Sequence, residues 1–274
     1  MDTQPIPLNA LLEAAVDAAQ SAGRQALDQM TFVPVSVKNG SELVTEADRA
    51  CQRAIVQRIR ADFPNHGLVA EEGEGGRPTR QPPTGTEPVW WVVDPIDGTT
   101  NYAHGMPVFT VSIAAMIHGS PAVGVIYEPA ANLLFTAARG GQARMNDRVL
   151  DAGHEPVSLF AGVGLDCHFG PAVPPWFLQV MLKSRFRNLG TTALQMAYVA
   201  KGAMAGTIAC TPKLWDIAAG AVLAESAGAV VTDWQGRPLW PMDLASYEGG
   251  PLPCVAANPT AHRQILAMIQ GGPS

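Results

Sequence analysis

The segment Asp94-Pro95-Ile96-Asp97-Gly98-Thr99 puts two carboxylates three residues apart at the end of an apolar run, Val89-Trp90-Trp91-Val92-Val93. Two acids that close repel each other, and their pKa values move apart unless a cation intervenes. A hard divalent ion such as Mg²⁺ removes the conflict, because it takes carboxylate and carbonyl oxygen. Pro95 fixes φ and is expected to stop the strand, so that both acids emerge at a sheet end. Gly98-Thr99 can open a turn or helix whose backbone N–H groups receive a phosphate, and the Thr99 hydroxyl can hold a metal-bound water. The competing reading is an Asp-rich turn capped by its own side chains.

Three further acidic elements stand elsewhere in the chain. Glu71-Glu72 ends the apolar run Leu68-Val69-Ala70, a position from which at least one of the two acids faces inward rather than into solvent. Asp216, in Trp215-Asp216-Ile217-Ala218-Ala219-Gly220, lies at the start of a helix of small apolar residues, where an acid either caps the helix or faces a site. Asp48, in Thr45-Glu46-Ala47-Asp48, is either a first-turn acid favoured by the helix dipole or an acceptor that raises the basicity of a nearby hydroxyl. No Cys, Ser or His stands in a nucleophile–base pattern, which disfavours a covalent route. His104 is close to the first acidic segment and is read as a packing or hydrogen-bonding residue.

These residues need a scaffold. The chain has 274 residues, 47% hydrophobic and 15% charged, enough for a large core and unlike a disordered chain. A net charge of −6 with no dense Lys/Arg cluster argues against nucleic acid as a main partner. No basic leader precedes an apolar segment, and no apolar run spans a bilayer, so a cytoplasmic protein without a membrane partner is expected. Cys51, Cys167, Cys210 and Cys254 form no C-x-x-C pair and are read as buried thiols in a reducing compartment.

Apolar spacing predicts helices over residues 8–30 and 45–62, with Thr45 as N-cap of the second. Strands are expected at 33–37, 67–70 and 89–93, then as a meander at 108–117, 122–127 and 133–138. Residues 73–88, rich in Gly, Pro and Thr, read as a surface loop, either a plain connector or a flap. The second half alternates: strand 157–165, helices 175–185, 191–201 and 214–227, strands at 230–231 and 254–257, and a closing helix 259–269. This is an α/β pattern, with a lobe boundary near Leu150 that divides 1–150 from 151–274.

The four acidic elements, in this order, resemble the inositol monophosphatase family of Mg²⁺-dependent, lithium-sensitive phosphatases. Trp91 to His104 fits the family's first signature, including Tyr102, and Trp215 to Ala229 fits its second, including Gly228-Ala229. The resemblance implies a layered α/β/α/β/α sandwich, usually a homodimer, acting on a small phosphorylated metabolite. It implies metal ligands at Glu71, Asp94, Asp97 and Asp216 and the carbonyl of Ile96, with two or three Mg²⁺ ions and Mn²⁺ as an alternative. It further implies that Asp48 and Thr99, with Glu71, serve catalysis by orienting a metal-bound water, and that Gly98 and Thr99 bind phosphate through backbone N–H groups.

Substrate choice in that family lies largely in the second lobe. Gly190-Thr191-Thr192 matches the segment that contacts the sugar or alcohol part. Inositol-selective relatives carry a Glu where this chain has Ala209, and the family's usual Asp a few residues earlier aligns with Ala205. Both differences weaken the case for inositol phosphate and for histidinol phosphate. Lys213, just before Leu214-Trp215-Asp216, is either a contact for a second anionic group on the substrate or a solvated lysine. Fructose bisphosphate and adenosine 3′,5′-bisphosphate remain alternative substrates, and a catalytically silent metal-binding relative is the alternative outside enzymes.

Overall fold

A computed structural model describes residues 8–30, 35–38, 42–85, 88–166 and 173–271. The chain opens with helix α1 (Leu8–Gln29), a hairpin of β1 (Val35–Lys38) and β2 (Glu42–Thr45), helix α2 (Glu46–Asp62) and strand β3 (Gly67–Ala70). Next come β4 (Thr79–Gln81), β5 (Val89–Asp97), the short helix α3 (Thr99–Ala103) and the meander β6 (Thr110–Ile117), β7 (Ser120–Glu128) and β8 (Leu133–Ala138). Two small strands, β9 (Arg144–Met145) and β10 (Arg148–Val149), complete this half. The second half runs β11 (Gly162–Asp166), α4 (Pro175–Lys183), β12 (Arg185–Arg187), α5 (Thr192–Ala200), β13 (Gly206–Ala209), α6 (Leu214–Ser226), β14 (Val230–Asp233), β15 (Cys254–Ala257) and α7 (Pro259–Ile269).

The strands form two main sheets. The first has eight, in the order β10-β9-β8-β7-β6-β5-β3-β4, and the second has five, in the order β12-β11-β13-β15-β14. One apolar cluster joins α1 and α2 to one face of the first sheet. A second joins the opposite face to α5, α6 and the near face of the second sheet. A third packs α4 and α7 on the far face. The layers are therefore α/β/α/β/α, as the family resemblance implies.

Small residues set the layer spacing. The buried side of α1 is Leu11 followed by Ala14, Ala15, Ala18, Ala19, Ala22 and Ala26, which brings the helix axis close to the sheet. In the middle layer, a Cβ on Gly220 would sit 2.6 Å from the Met196 Cβ, and one on Gly124 would sit 2.4 Å from the Ala219 carbonyl. Helices α5 and α6 thus touch each other and β7 at contact distance.

Strand β5 is buried along its whole length, with β3 parallel on one side and β6 antiparallel on the other. Burial of each Val contributes roughly 1.5–3 kcal/mol. That apolar run is what offsets the cost of the carboxylates at its end.

Four local expectations need correction. Pro95 does not stop β5: the strand runs to Asp97, and the register shifts between Asp94 and Asp97 absorb the residue that cannot donate. The 73–88 segment is not all loop, because Thr79–Gln81 pairs antiparallel with β3 as an edge strand. The short strands β12 and β13 were not expected; each is only three or four residues and is held by pairing to β11. Cys51 and Cys254 are buried free thiols, but Cys210 is disulfide-bonded rather than a free thiol. Cys167, like Val33, Pro34 and the first seven residues, lies outside the described residues.

Candidate metal centre

The end of β5, the start of α6 and the start of α5 converge on one point between the two sheets. Asp94, Asp97 and Asp216 each bring a carboxylate oxygen there, all within 4.8 Å of one another. At that spacing and an effective dielectric of about 20, each ionised pair repels by about 3 kcal/mol. Asp94 is held well above the ordinary carboxylate range, first by burial and then by the charges of Glu71, Asp97 and Asp216. Asp216 is pushed up by burial and by Asp97 and Glu71. Asp97 rises to about 7, mainly through burial, against the lowering effect of its hydrogen bonds from Thr191 and Ala193. A cluster that would rather hold protons than charge, made only of hard oxygen donors, fits a divalent cation.

Each acid is fixed by its local backbone. The Asp94 Oδ1 accepts the Ile96 N–H at 3.0 Å across the bulge. Glu71 follows β3, its N–H donates to the Val93 carbonyl at 3.1 Å, and its carboxyl meets that of Asp94. Its neighbour Glu72 exchanges hydrogen bonds with the Gln52 amide through its own backbone instead. Asp216 does both things the sequence offered: its Oδ2 accepts the Lys213 N–H at 2.6 Å, capping α6, and it faces the other two acids. Ser112 donates to the Trp215 carbonyl at 3.1 Å and ties the start of α6 to β6.

Asp48 is wholly buried in the first turn of α2, and the Thr99 hydroxyl lies 3.1 Å from its Oδ1. The same hydroxyl is 3.0 Å from the Ile96 carbonyl. Its one proton serves one acceptor at a time, which leaves its lone pairs for a proton from elsewhere. Gly98, between Asp97 and Thr99, has φ of 101°, and a Cβ there would meet the carbonyls of Val108 and Gly190 at 3.1 and 3.2 Å. Only glycine suits that backbone and that space. The first N–H groups of α3, which begins at Thr99, have no acceptor within the helix.

The second-half residues divide. Thr191, buried, gives its hydroxyl to Asp97 Oδ2 and accepts the Leu194 N–H at 3.2 Å as N-cap of α5. The Ala193 N–H reaches the same Asp97 oxygen at 2.8 Å. Thr192 gives its hydroxyl to Asp166 Oδ2 at the end of β11. Ala209 ends β13 and is buried, and Lys213 is half-buried as N-cap of α6. Gly190, with φ of 70°, closes against the Asn101 amide.

Three participants were given no role by the sequence. Asn101 donates to the carbonyls of Val108 and Leu189 at 2.8 and 2.7 Å and ties α3 to the second half. Tyr102 donates to the Ala26 carbonyl at 2.7 Å and anchors α3 on α1. Asp166 raises both Asp97 and Asp216 through its charge. The first two sit inside a recognised signature, which was the available signal; Asp166 had none. His104 is exposed, with Nδ1 2.8 Å from the Thr100 carbonyl, a local bond at the end of α3.

The sequence profile described as the inositol monophosphatase family matches residues 8–270. An inositol-1-monophosphatase from Mesorhizobium japonicum is 39% identical, covering 96% of each chain. A relative from Pasteurella multocida named Nus factor SuhB is 34% identical, over 96% of this chain and 97% of its own. The crystal structure of the extragenic suppressor protein SuhB from Bartonella henselae superposes with a TM-score of 0.84 at 30% identity, over 96% of this chain and all of that one. Profile, relatives and fold agree with the order of the acidic elements: the chain belongs to the inositol monophosphatase family.

Proposed function

We propose that this chain is a Mg²⁺-dependent phosphatase that releases phosphate from a small inositol-like, sugar or polyol phosphate monoester by attack of water. The observation that carries this reading is the meeting of buried Asp94 and Asp97 with half-buried Asp216, all three forced upward in pKa, beside the Asp48–Thr99 pair. Glu71, Asp94, Asp97, Asp216 and the Ile96 carbonyl are the oxygen donors that would hold two or three ions, with Mn²⁺ as a substitute. When bound, the cations offset the charge of the phosphate dianion, acidify a water and stabilise the leaving oxygen.

The protein's own groups supply direction. Thr99 accepts a proton from the attacking water as its hydroxyl proton passes to Asp48, 3.1 Å away. Backbone N–H groups of Gly98 and Thr99 receive the phosphate oxygens at the start of α3. Thr191 and the Ala193 N–H fix the Asp97 carboxylate, so no reorganisation is needed when substrate arrives. On this reading residues 1–150 form a lobe carrying most metal ligands, and residues 151–274 form a lobe carrying Asp216 and substrate selection through Gly190, Thr191, Thr192, Ala209 and Lys213. The complete set of acids favours catalysis over a silent, binding-only role.

We also read the chain as a homodimer. Leu182 and Phe160, 77% and 92% exposed, stand with Leu178 and Phe186 among the exposed large apolar side chains of the second half, apolar surface suited to a second copy. Light scattering tests this.

Phosphate release should be measured with Mg²⁺ on inositol 1-phosphate, histidinol phosphate, glycerol 2-phosphate, fructose bisphosphate and adenosine 3′,5′-bisphosphate. Release from at least one that vanishes in Asp94→Asn supports the reading. Metal binding without release from any of them points to a binding protein.

A further inference from the structure

Strands β11 and β13 run parallel, and their register sets Asp166 opposite Ala209. Ala209 is where inositol-selective relatives carry a carboxylate, and here it is a buried methyl. The neighbouring strand brings a carboxylate to the same level of the sheet. Asp166 is half-buried at the last position of β11, and Thr192 donates its hydroxyl to Oδ2. Thr191, one residue earlier, holds Asp97 in the same way, so two adjacent threonines at the start of α5 orient one carboxylate on the metal side and one beside it. The Asp166 charge reaches Asp97 and Asp216, which locates it at the rim of the acidic centre rather than on a remote surface.

We propose that Asp166 is a specificity residue that accepts hydrogen bonds from the carbon skeleton of the substrate, replacing across the β11–β13 register the acid that Ala209 lacks. One Asp166 oxygen is held by Thr192, and a carboxylate has lone pairs to spare for an incoming donor. The donor is a hydroxyl or an ammonium group; a carboxylate accepts from both. The proposal rests on the phosphatase reading and deepens it.

The experiment compares wild type and Asp166→Asn, each with saturating Mg²⁺, on three esters. Inositol 1-phosphate offers hydroxyls, histidinol phosphate offers an ammonium group, and p-nitrophenyl phosphate offers no donor on its ring. The expected result is a loss in kcat/KM of roughly 10- to 100-fold, carried mainly by KM, on one of the first two, and of less than about threefold on p-nitrophenyl phosphate. A loss confined to inositol 1-phosphate assigns a hydroxyl, and one confined to histidinol phosphate assigns an ammonium. Asp166→Ala combined with Ala209→Glu should recover part of the lost discrimination, a rescue that a merely structural role would not give. Equal losses on all three esters, or a parallel shift in the Mg²⁺ concentration for half activity, would assign Asp166 to the metal centre and overturn the proposal. So would no loss at all. Wild type that releases phosphate from none of the esters removes the phosphatase reading before any variant is made, and the proposal with it.

Discussion

The end of β5 and the ends of β11 and β13 face the same space but are built differently. At β5, two acids from one hexapeptide are locked by the bulge, by the Asp94 bond to the Ile96 N–H and by a strand buried on every residue. At β11 and β13, the side chains come from residues forty-three apart in sequence (209 − 166) and meet only through strand register and one threonine. The first region suits a cation, because its acids cannot all be charged without one. The second has fewer constraints and can exchange residues without disturbing the first. On the proposed reading, the chemistry is held rigidly by local sequence, and selectivity is left to side chains on neighbouring strand ends.

The contrast is broken most severely at Asp94. Asp94→Asn removes a ligand and a buried charge together, so Mg²⁺-dependent phosphate release should fall by about 10³-fold or more. The same variant should melt higher than wild type in metal-free buffer, because it relieves the repulsion with Glu71, Asp97 and Asp216. Loss of activity together with a lower metal-free Tm would mean that Asp94 holds the fold rather than a cation.

The adjacent threonines sharpen the comparison. Thr191→Val deletes the bond to Asp97 and the cap on α5, and should cost about 1–3 kcal/mol of stability and roughly 10- to 100-fold in kcat on every ester. Thr192→Val should leave p-nitrophenyl phosphate turnover within about threefold and raise KM for the preferred ester. Steady-state kinetics on both variants decides; identical profiles would erase the distinction between the two regions.

A pH series tests the electrostatics of the first region. In the metal-free protein Asp97 stands at about 7 against an ordinary 3.8. Between those values the folded state keeps a proton that the unfolded state has released, so metal-free stability falls as pH rises through that window. A bound cation takes the proton's place. The gain in Tm on adding Mg²⁺ should therefore be small near pH 5 and reach about 5 °C near pH 8. Calorimetry with and without Mg²⁺ checks this, and an equal gain at both pH values would contradict it.

Lys213→Ala carries the smallest effect. If Lys213 meets a second anionic group, the ratio of activity on fructose bisphosphate to that on a monophosphate should fall by about two- to fivefold, and less at high salt. An unchanged ratio returns Lys213 to the role of helix cap.

What the sequence discloses follows the same divide. Asp94, Asp97, Asp216 and Asp48 are legible because a carboxylate at a strand end or helix start is a local pattern; the first three meet, and Asp48 reaches Thr99. The layers are legible too, since long apolar periodicities such as that of α1 survive in the fold. Thr191 reads as a substrate contact, yet its hydroxyl turns inward to Asp97, a direction that depends on how α5 docks. Asp166 reads as nothing, because its meaning lies in a register with Ala209 that no spacing records. β13 escapes notice for a related reason: Gly206-Thr207-Ile208-Ala209 is too short to show a period and is strand only because β11 and β15 flank it.

The central claim is that the acidic cluster works as a cation-loaded phosphatase centre. It is tested most directly by stripping the protein of metal and following phosphate release from whichever of the five esters it hydrolyses best as Mg²⁺ is returned. No release without metal, and release that rises and saturates with Mg²⁺ in wild type but not in Asp94→Asn, is the predicted result. Release that persists in the stripped protein, or that is the same in Asp94→Asn, would contradict it.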